Sequence, residues 1–317
     1  MVRVNSHDGR YERTAVFVFF LTFSILLFGR GLAAHLATAY LGRETDPGVH
    51  MWFFNWWRFS LAHGLNPFIT DFVWAPLGIN LAWTTCVPLP SLISIPLQVT
   101  VGEPATYNII AMLLVPLAAL SAFLLCRRVT GAFWPSVLGG YIFGFSPYML
   151  GQVLGHLVEF AVFPVPLIVL LTLKRLDNEI SSPRYAIGLA ALLIVQFLFA
   201  VELCATVTMV GGFAFLLALV LFSGDVRARL VGLIAPTAAG YVIAGAILSP
   251  YLYSFSRSAF LAVRFGRPAI SPATCSITSF PPRRICLAPL DSRGPSQESL
   301  AETFSRTAHR DLAARND

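Results

Sequence analysis

Long apolar segments, each close to the length of a membrane-spanning helix, dominate this chain and restrict the folds it can adopt. Of its 317 residues, 56% are hydrophobic and only 12% are charged, whereas soluble globular chains carry about 25% charged residues. A helix needs about 20 apolar residues to cross a bilayer. Separate apolar blocks of this length therefore predict an all-α fold, a polytopic transmembrane helical bundle.

Seven segments are predicted to cross the membrane, and the charges beside them set their orientation. They are residues 15–41, 107–126, 132–150, 159–173, 185–200, 205–222 and 230–248. The loops on one side of this arrangement are basic and carry Arg127, Arg128, Lys174, Arg175, Arg184, Arg227 and Arg229. By the positive-inside rule that side is cytoplasmic, and so are residues 1–13, which contain three arginines.

Two apolar segments allow a second interpretation. Pro88–Val101 is short and contains three prolines, and a crossing there would place Arg127 and Arg128 outside. We therefore expect it to lie in the interface within an outer loop, 42–105. The first segment could be a signal peptide cleaved after Ala39, but it is longer than a signal core, which favours an uncleaved anchor.

The acidic pair Glu44 and Asp46 opens the predicted outer loop, directly before an aromatic segment, residues 52–59. Placing a charged carboxylate beside lipid costs free energy. Carboxylates there can, however, accept a proton from a hydroxyl or hold a divalent cation. They can equally form a polar turn, because Asp46-Pro47-Gly48 has turn chemistry and aspartate caps helices. The polar residues of the aromatic segment do not lie on one helix face, which predicts partial burial against the bundle.

Six further residues are candidates for substrate binding, each with a structural alternative. They are Arg30, Trp56, Trp57, His156, Glu159 and Glu202. Arg30 can bind a phosphate or extend to the interface. The tryptophans can stack on a sugar or form an interfacial belt. On a helix, His156 and Glu159 would share one face, and the pair can be functional or structural. Glu202 is an acid between apolar runs and can likewise be functional or structural.

Several other classes of function have no signal in the chain. Phosphate-binding, dinucleotide-binding, zinc-protease and serine-hydrolase motifs are absent from the sequence. The five cysteines show no paired spacing, so we expect neither disulfides nor a metal site among them. The net charge of +6 comes from loops and the C-terminal tail, so nucleic acid is not an expected partner. A divalent cation is the one cofactor left open.

Seven short stretches carry a resemblance to a known family. They are Glu44-Thr45-Asp46-Pro47, Trp52–Trp57, Leu65-Asn66-Pro67-Phe68, Ala75-Pro76-Leu77-Gly78-Ile79-Asn80, Arg127-Arg128-Val129-Thr130-Gly131, Phe145-Ser146-Pro147-Tyr148 and Gly155-His156. Their order over residues 14–255 resembles that of the GT-C superfamily of polytopic membrane glycosyltransferases, and most of all the YfhO-type bacterial membrane proteins. Those proteins also have a long outer loop that opens with an acidic pair.

The resemblance implies inverting sugar transfer from a lipid-linked donor, a polyprenyl-phosphate sugar, on the outer face of a bacterial-type plasma membrane. It implies that Asp46 deprotonates the acceptor and that Glu44 supports it or helps to hold a cation. It also implies that Arg30 or another outer basic group neutralises the donor phosphate. Family members continue with more spans, whereas this chain ends in a tail, residues 256–317, in which 267–317 are rich in Ser, Pro and Arg. We expect this tail to be disordered and hypothesise a truncated or frameshifted product. A transporter or flippase-like protein and a non-catalytic scaffold are the rival functions.

Overall fold

The computed structural model describes residues 8–43, 46–73 and 78–258, and this part of the chain is mostly helical, with almost no strand. The helices are α1 (Asp8–Ser24), α2 (Asp46–Ala62), α3 (Pro88–Val101), α4 (Glu103–Thr130), α5 (Phe133–Gly144), α6 (Pro147–Gln152), α7 (Pro164–Leu176), α8 (Ser182–Phe199), α9 (Val201–Leu221), α10 (Gly224–Ile247) and α11 (Ser249–Ser258). A π-helical turn, Ile25–Gly29, extends α1. The strands β1 (Ile69–Thr70) and β2 (Ile79–Asn80) form a small antiparallel pair, followed by a 3₁₀ turn, Leu81–Trp83. The predicted all-α fold is confirmed.

Five helices in the described residues are long and apolar enough to cross a membrane, which makes the chain an integral membrane protein. They are Arg10–Gly29, Glu103–Thr130, Ser182–Phe199, Val201–Leu221 and Gly224–Ile247. Helices α5 and α7 occupy the third and fourth predicted spans but have only 12 and 13 residues. The short helix α3 matches the segment that we expected not to cross.

The first apolar segment ends earlier than the sequence predicted. Its helix stops at Gly29, and turns occupy residues 30–38. Two glycines flank Arg30, and glycine disfavours continued helix, so the apolar pattern up to residue 41 overstates the span. At the other end of the chain, α11 includes residues 256–258, which we had assigned to the tail. The rest of the predicted disordered tail lies outside the described residues, as do Glu44 and Thr45.

Ion pairs join three chain segments at one end of the bundle, which we call the arginine end. The Arg127 Nε lies 2.8 Å from an oxygen of Glu12, near the start of α1. Arg128, also in the last turn of α4, pairs with Asp177 and Glu179 just after α7. The first turn of α4 therefore lies at the opposite end, which we call the cavity end. The 28 residues of α4 separate the two ends by about 42 Å.

The glycines of a Gly140-x-x-x-Gly144 motif allow α5 to pack closely against α4. A Cβ at Gly144 would lie 2.5 Å from the Ala119 Cβ and 2.8 Å from its backbone nitrogen. A Cβ at Gly140 would lie 2.6 Å from the Ala119 carbonyl oxygen and 2.9 Å from the Phe20 ring. Because backbone atoms are among these neighbours, a side chain at either position forces the helices apart.

We expect Gly144→Ala to destabilise the protein by about 1–3 kcal/mol, because the added methyl group overpacks the α4–α5 contact. Gly212→Ala is the matched control, since a Cβ at Gly212 in α9 meets nothing within 4 Å. That control should be neutral or slightly stabilising, because alanine favours helix over glycine. Thermal unfolding in detergent measures both variants, and equal melting temperatures for the two would contradict the packing role of Gly144.

Candidate functional site

A cavity of about 150 Å³ opens where α2 begins, at the cavity end. Its lining residues are Asp46, Val49, His50, Thr85, His156, Val158 and Glu159. Three of them, Asp46, His156 and Glu159, are residues that the sequence singled out, although up to 113 positions separate them along the chain. The structure therefore brings together the acid of the outer loop and the His–Glu pair that precedes α7.

Asp46 and His156 form a direct polar contact in this cavity. The His156 Nδ1 lies 2.9 Å from the Asp46 Oδ2, and the side chains are 44% and 45% exposed, respectively. Asp46 is the first residue of α2, where the helix dipole and free N–H groups stabilise a negative charge. When Nδ1 carries the proton it donates to the carboxylate, and Nε2 is then the free nitrogen. The pair combines a proton acceptor with a group that orients it.

Two loops that carry these residues are held together by their backbones. The Arg43 N–H donates to the Leu154 carbonyl at 2.7 Å. Gly42, with φ +128°, allows this approach, because a Cβ there would lie 2.5 Å from the same carbonyl oxygen. The distance between Asp46 and His156 thus depends on a backbone contact a few residues before each of them.

Asn108, a residue of α4, anchors the segment that precedes Gly42. It is fully buried, and its Oδ1 accepts from the Leu41 N–H at 2.7 Å. Its Nδ2 donates to the carbonyls of Ala39 at 2.8 Å and Leu36 at 3.3 Å. One amide side chain therefore satisfies three backbone groups in the segment that leads to Asp46.

Glu159 and Glu202 are close enough to affect each other electrostatically. Partial burial raises the pKa of Glu159, and the negative charge of Glu202 raises it further, while His156 opposes the shift. Glu202 lies in the first turn of α9 and lines a smaller pocket of about 20 Å³ that shares Thr85 with the main cavity. The Tyr148 hydroxyl donates to the Glu159 carbonyl at 2.8 Å, which helps to fix this turn. Glu202 therefore belongs to the edge of the site.

Arg30 and the two tryptophans do not line the cavity. Arg30 is exposed and follows the π-helical turn at the cavity end. Trp56 and Trp57 are only 5% and 6% exposed. Their indole N–H groups donate to the carbonyls of Pro67 at 2.8 Å and Cys86 at 3.1 Å. These rings brace α2 against the outer loop and offer no open face to a sugar. The predicted partial burial of the aromatic segment, residues 52–59, is confirmed, since four of its aromatic side chains are buried.

His50 is a cavity residue that the sequence analysis did not select. It lies four residues after Asp46 on α2, so both side chains project from one face of the helix. The spacing Asp46-x-x-x-His50 was the available signal, but the same spacing occurs on many helices without function. Burial lowers the pKa of His50 from its ordinary value of 6.5 to about 4, although Asp46 acts in the opposite direction.

We expect the stability of the protein to fall as the pH drops from about 6.5 to about 4, because of His50. In this range the unfolded chain binds a proton at this residue and the folded protein does not. The loss attributable to His50 is up to about 3 kcal/mol at the acid end of the range. Melting temperatures at about pH 7.5 and about pH 4.5 measure it, and His50→Phe should show a smaller difference than the parent. An identical pH dependence in the two proteins would contradict this assignment.

No three His, Cys, Asp or Glu side chains are arranged to hold a metal ion within residues 8–43, 46–73 and 78–258. Glu44, the residue that we expected to assist Asp46 in holding a divalent cation, lies outside those ranges. The cation therefore stays a prediction from the sequence.

Comparison of the chain with protein-family models, with curated proteins and with solved structures finds no match. The likeness to GT-C glycosyltransferases thus rests on the order of short motifs along the chain.

Proposed function

We propose that the protein transfers a sugar from a polyprenyl-phosphate donor to a hydroxyl acceptor, with Asp46 as the general base. The observation that supports this most is the half-exposed Asp46 carboxylate, which contacts His156 in a cavity at the end of the bundle opposite the paired arginines. A carboxylate held in this way can accept a proton from an acceptor hydroxyl. The likeness to GT-C enzymes supplies the donor class.

In this reaction the acceptor hydroxyl loses its proton to Asp46 as its oxygen attacks the anomeric carbon of the donor sugar. The bond from that carbon to the phosphate oxygen breaks, and the polyprenyl phosphate leaves with the electron pair. His156 contacts Oδ2 of Asp46, so Oδ1 is the oxygen available to the acceptor. His156 also keeps the carboxylate oriented and stabilises its charge.

The size of the cavity suits part of a substrate. Complete small-molecule pockets measure about 300–1,000 Å³, whereas this cavity measures about 150 Å³. We propose that it holds the reacting hydroxyl and its ring, while the lipid chain of the donor stays in the bilayer. Arg30 lies at the same end of the bundle and is the proposed partner of the donor phosphate, since guanidinium groups pair well with phosphate.

An assay of the purified protein with two donors tests this proposal. We expect sugar transfer from a polyprenyl-phosphate sugar, with inversion at the anomeric carbon, and no transfer from the matching nucleotide sugar. Absence of transfer from every polyprenyl-phosphate sugar supplied, with a range of hydroxyl acceptors, would overturn it. Movement of the lipid-linked sugar across vesicles without transfer, lost in Glu202→Gln, would favour the rival transport function.

A further inference from the structure

His50 is buried directly behind Asp46 and has an unusual environment for a polar side chain. It is 2% exposed and contributes to the wall of the cavity. Its ring lies 6.4 Å from the ring of Tyr107, with 34° between the two planes. Because Asp46 and His50 are one helical turn apart, a ligand that reaches the carboxylate comes next to the imidazole.

Neither ring nitrogen of His50 meets the geometric criteria for a hydrogen bond in the part of the chain that the structure describes, although the Asp46 backbone interacts with the imidazole. The Tyr107 hydroxyl has no partner there either. Buried polar atoms are nearly always paired in folded proteins, because leaving them unpaired is costly. Two such side chains close together beside an open cavity indicate that their partner enters with a ligand. An apolar residue would pack at position 50 without this cost.

The chemistry of a neutral imidazole restricts what that ligand can be. Burial keeps His50 uncharged at neutral pH, so one ring nitrogen donates a hydrogen bond and the other accepts one. An anion can only accept, and it would also meet the negative charges of Asp46 and Glu159 in the same cavity. A hydroxyl group both donates and accepts, which matches the imidazole and the carboxylates together.

We propose that His50 binds and positions a hydroxyl of a sugar-like polyol in the Asp46 cavity. This inference rests on the proposed function, because the polyol corresponds to the sugar or the acceptor of that reaction. The ring nitrogens are covered in the structure, so the proposal requires the imidazole to turn toward the cavity when the ligand enters. Asp46 then meets a hydroxyl that His50 has already placed.

Nuclear magnetic resonance of the histidine Cε1 carbons tests binding without any catalysis. The chain has six histidines, and the His50 signal is the one missing from His50→Phe. In a detergent without a sugar head group, methyl β-D-glucopyranoside should shift this signal saturably. The control 2-methoxytetrahydropyran has the same ring without hydroxyls and should leave it unchanged. If the His50 signal does not shift with the glucoside, or shifts equally with both compounds, the proposal is overturned.

Two variants separate a binding role from a packing role. We expect His50→Phe to weaken glucoside binding about tenfold, as the loss of one good hydrogen-bond pair would. Its melting temperature should equal or exceed that of the parent, because the unpaired nitrogens are gone. His50→Asn keeps a donor and an acceptor and should bind within about threefold of the parent. A lower melting temperature in His50→Phe with unchanged binding would overturn the proposal.

The two proposals can fail separately. If the parent binds the glucoside through His50 but transfers no sugar, the positioning role stands and the reaction is wrong. If the parent transfers sugar and His50→Phe leaves the KM for the acceptor unchanged, the reaction stands and the role of His50 is wrong.

Discussion

Asp46→Asn should lower the rate of sugar transfer by about 10³-fold, since a positioned general base contributes about 10²–10⁴-fold. The amide has the shape of the carboxylate and can still contact His156, but it does not accept a proton at neutral pH. The loss should appear in kcat more than in KM, because the base acts mainly in the transition state. Steady-state kinetics with a polyprenyl-phosphate sugar measure it.

The control for this variant is Asp71→Asn, which removes an exposed carboxylate elsewhere in the same outer loop. It should leave kcat and KM unchanged. Transfer at the parental rate in Asp46→Asn would remove Asp46 from the reaction. An equal loss in both variants would instead indicate a general dependence on the negative charge of the loop.

Asn108→Leu should destabilise the protein by about 2–4 kcal/mol, the second large effect that we expect. The substitution leaves the Leu41 N–H and the carbonyls of Ala39 and Leu36 without their shared partner. Unpaired buried groups cost about 1–3 kcal/mol each in water-soluble proteins. Single hydrogen bonds between membrane helices are worth less, about 0.6 kcal/mol on average, so the total stays below the simple sum.

Thermal unfolding in detergent measures this effect, and Ser121→Ala is the matched control. Ser121 is also buried in α4, but among the described residues its hydroxyl bonds only to the Ala118 carbonyl within the same helix. We expect that control to change stability by less than about 1 kcal/mol. Because Asn108 holds the loop before Asp46, its variant should also lose transfer activity. Similar stabilities in the two variants would contradict the anchoring role of Asn108.

The helical bundle was predictable from the sequence, because long apolar runs directly predict membrane-spanning helices. The spacing of Gly140 and Gly144 is typical of close helix packing, but it does not name α4 as the partner helix. The number of spans was harder to predict, since hydropathy does not show where Gly29 ends a helix or that α5 and α7 are short. Local backbone breaks decide these lengths, and they depend on tertiary packing.

The site was predictable in part. Asp46, His156 and Glu159 were each selected on local grounds, but nothing in the sequence showed that the loop before α7 would place His156 beside Asp46. The anchoring role of Asn108 could not be predicted, because a single amide in an apolar run forms no sequence pattern. Trp56 and Trp57 illustrate the opposite problem, since an aromatic cluster has the same sequence whether its rings face a ligand or the core.

Labelling of two single cysteines in cells tests the central claim, which is that the Asp46 cavity faces the outside while the arginine end faces the cytoplasm. Val49 lines the cavity and is 42% exposed, and Val129 is 68% exposed beside Arg128. In a background with the five native cysteines replaced by alanine, a membrane-impermeant maleimide should label Val49→Cys in intact cells. Val129→Cys should react only after permeabilisation. The reverse pattern would place the cavity in the cytoplasm and contradict sugar transfer at the outer face.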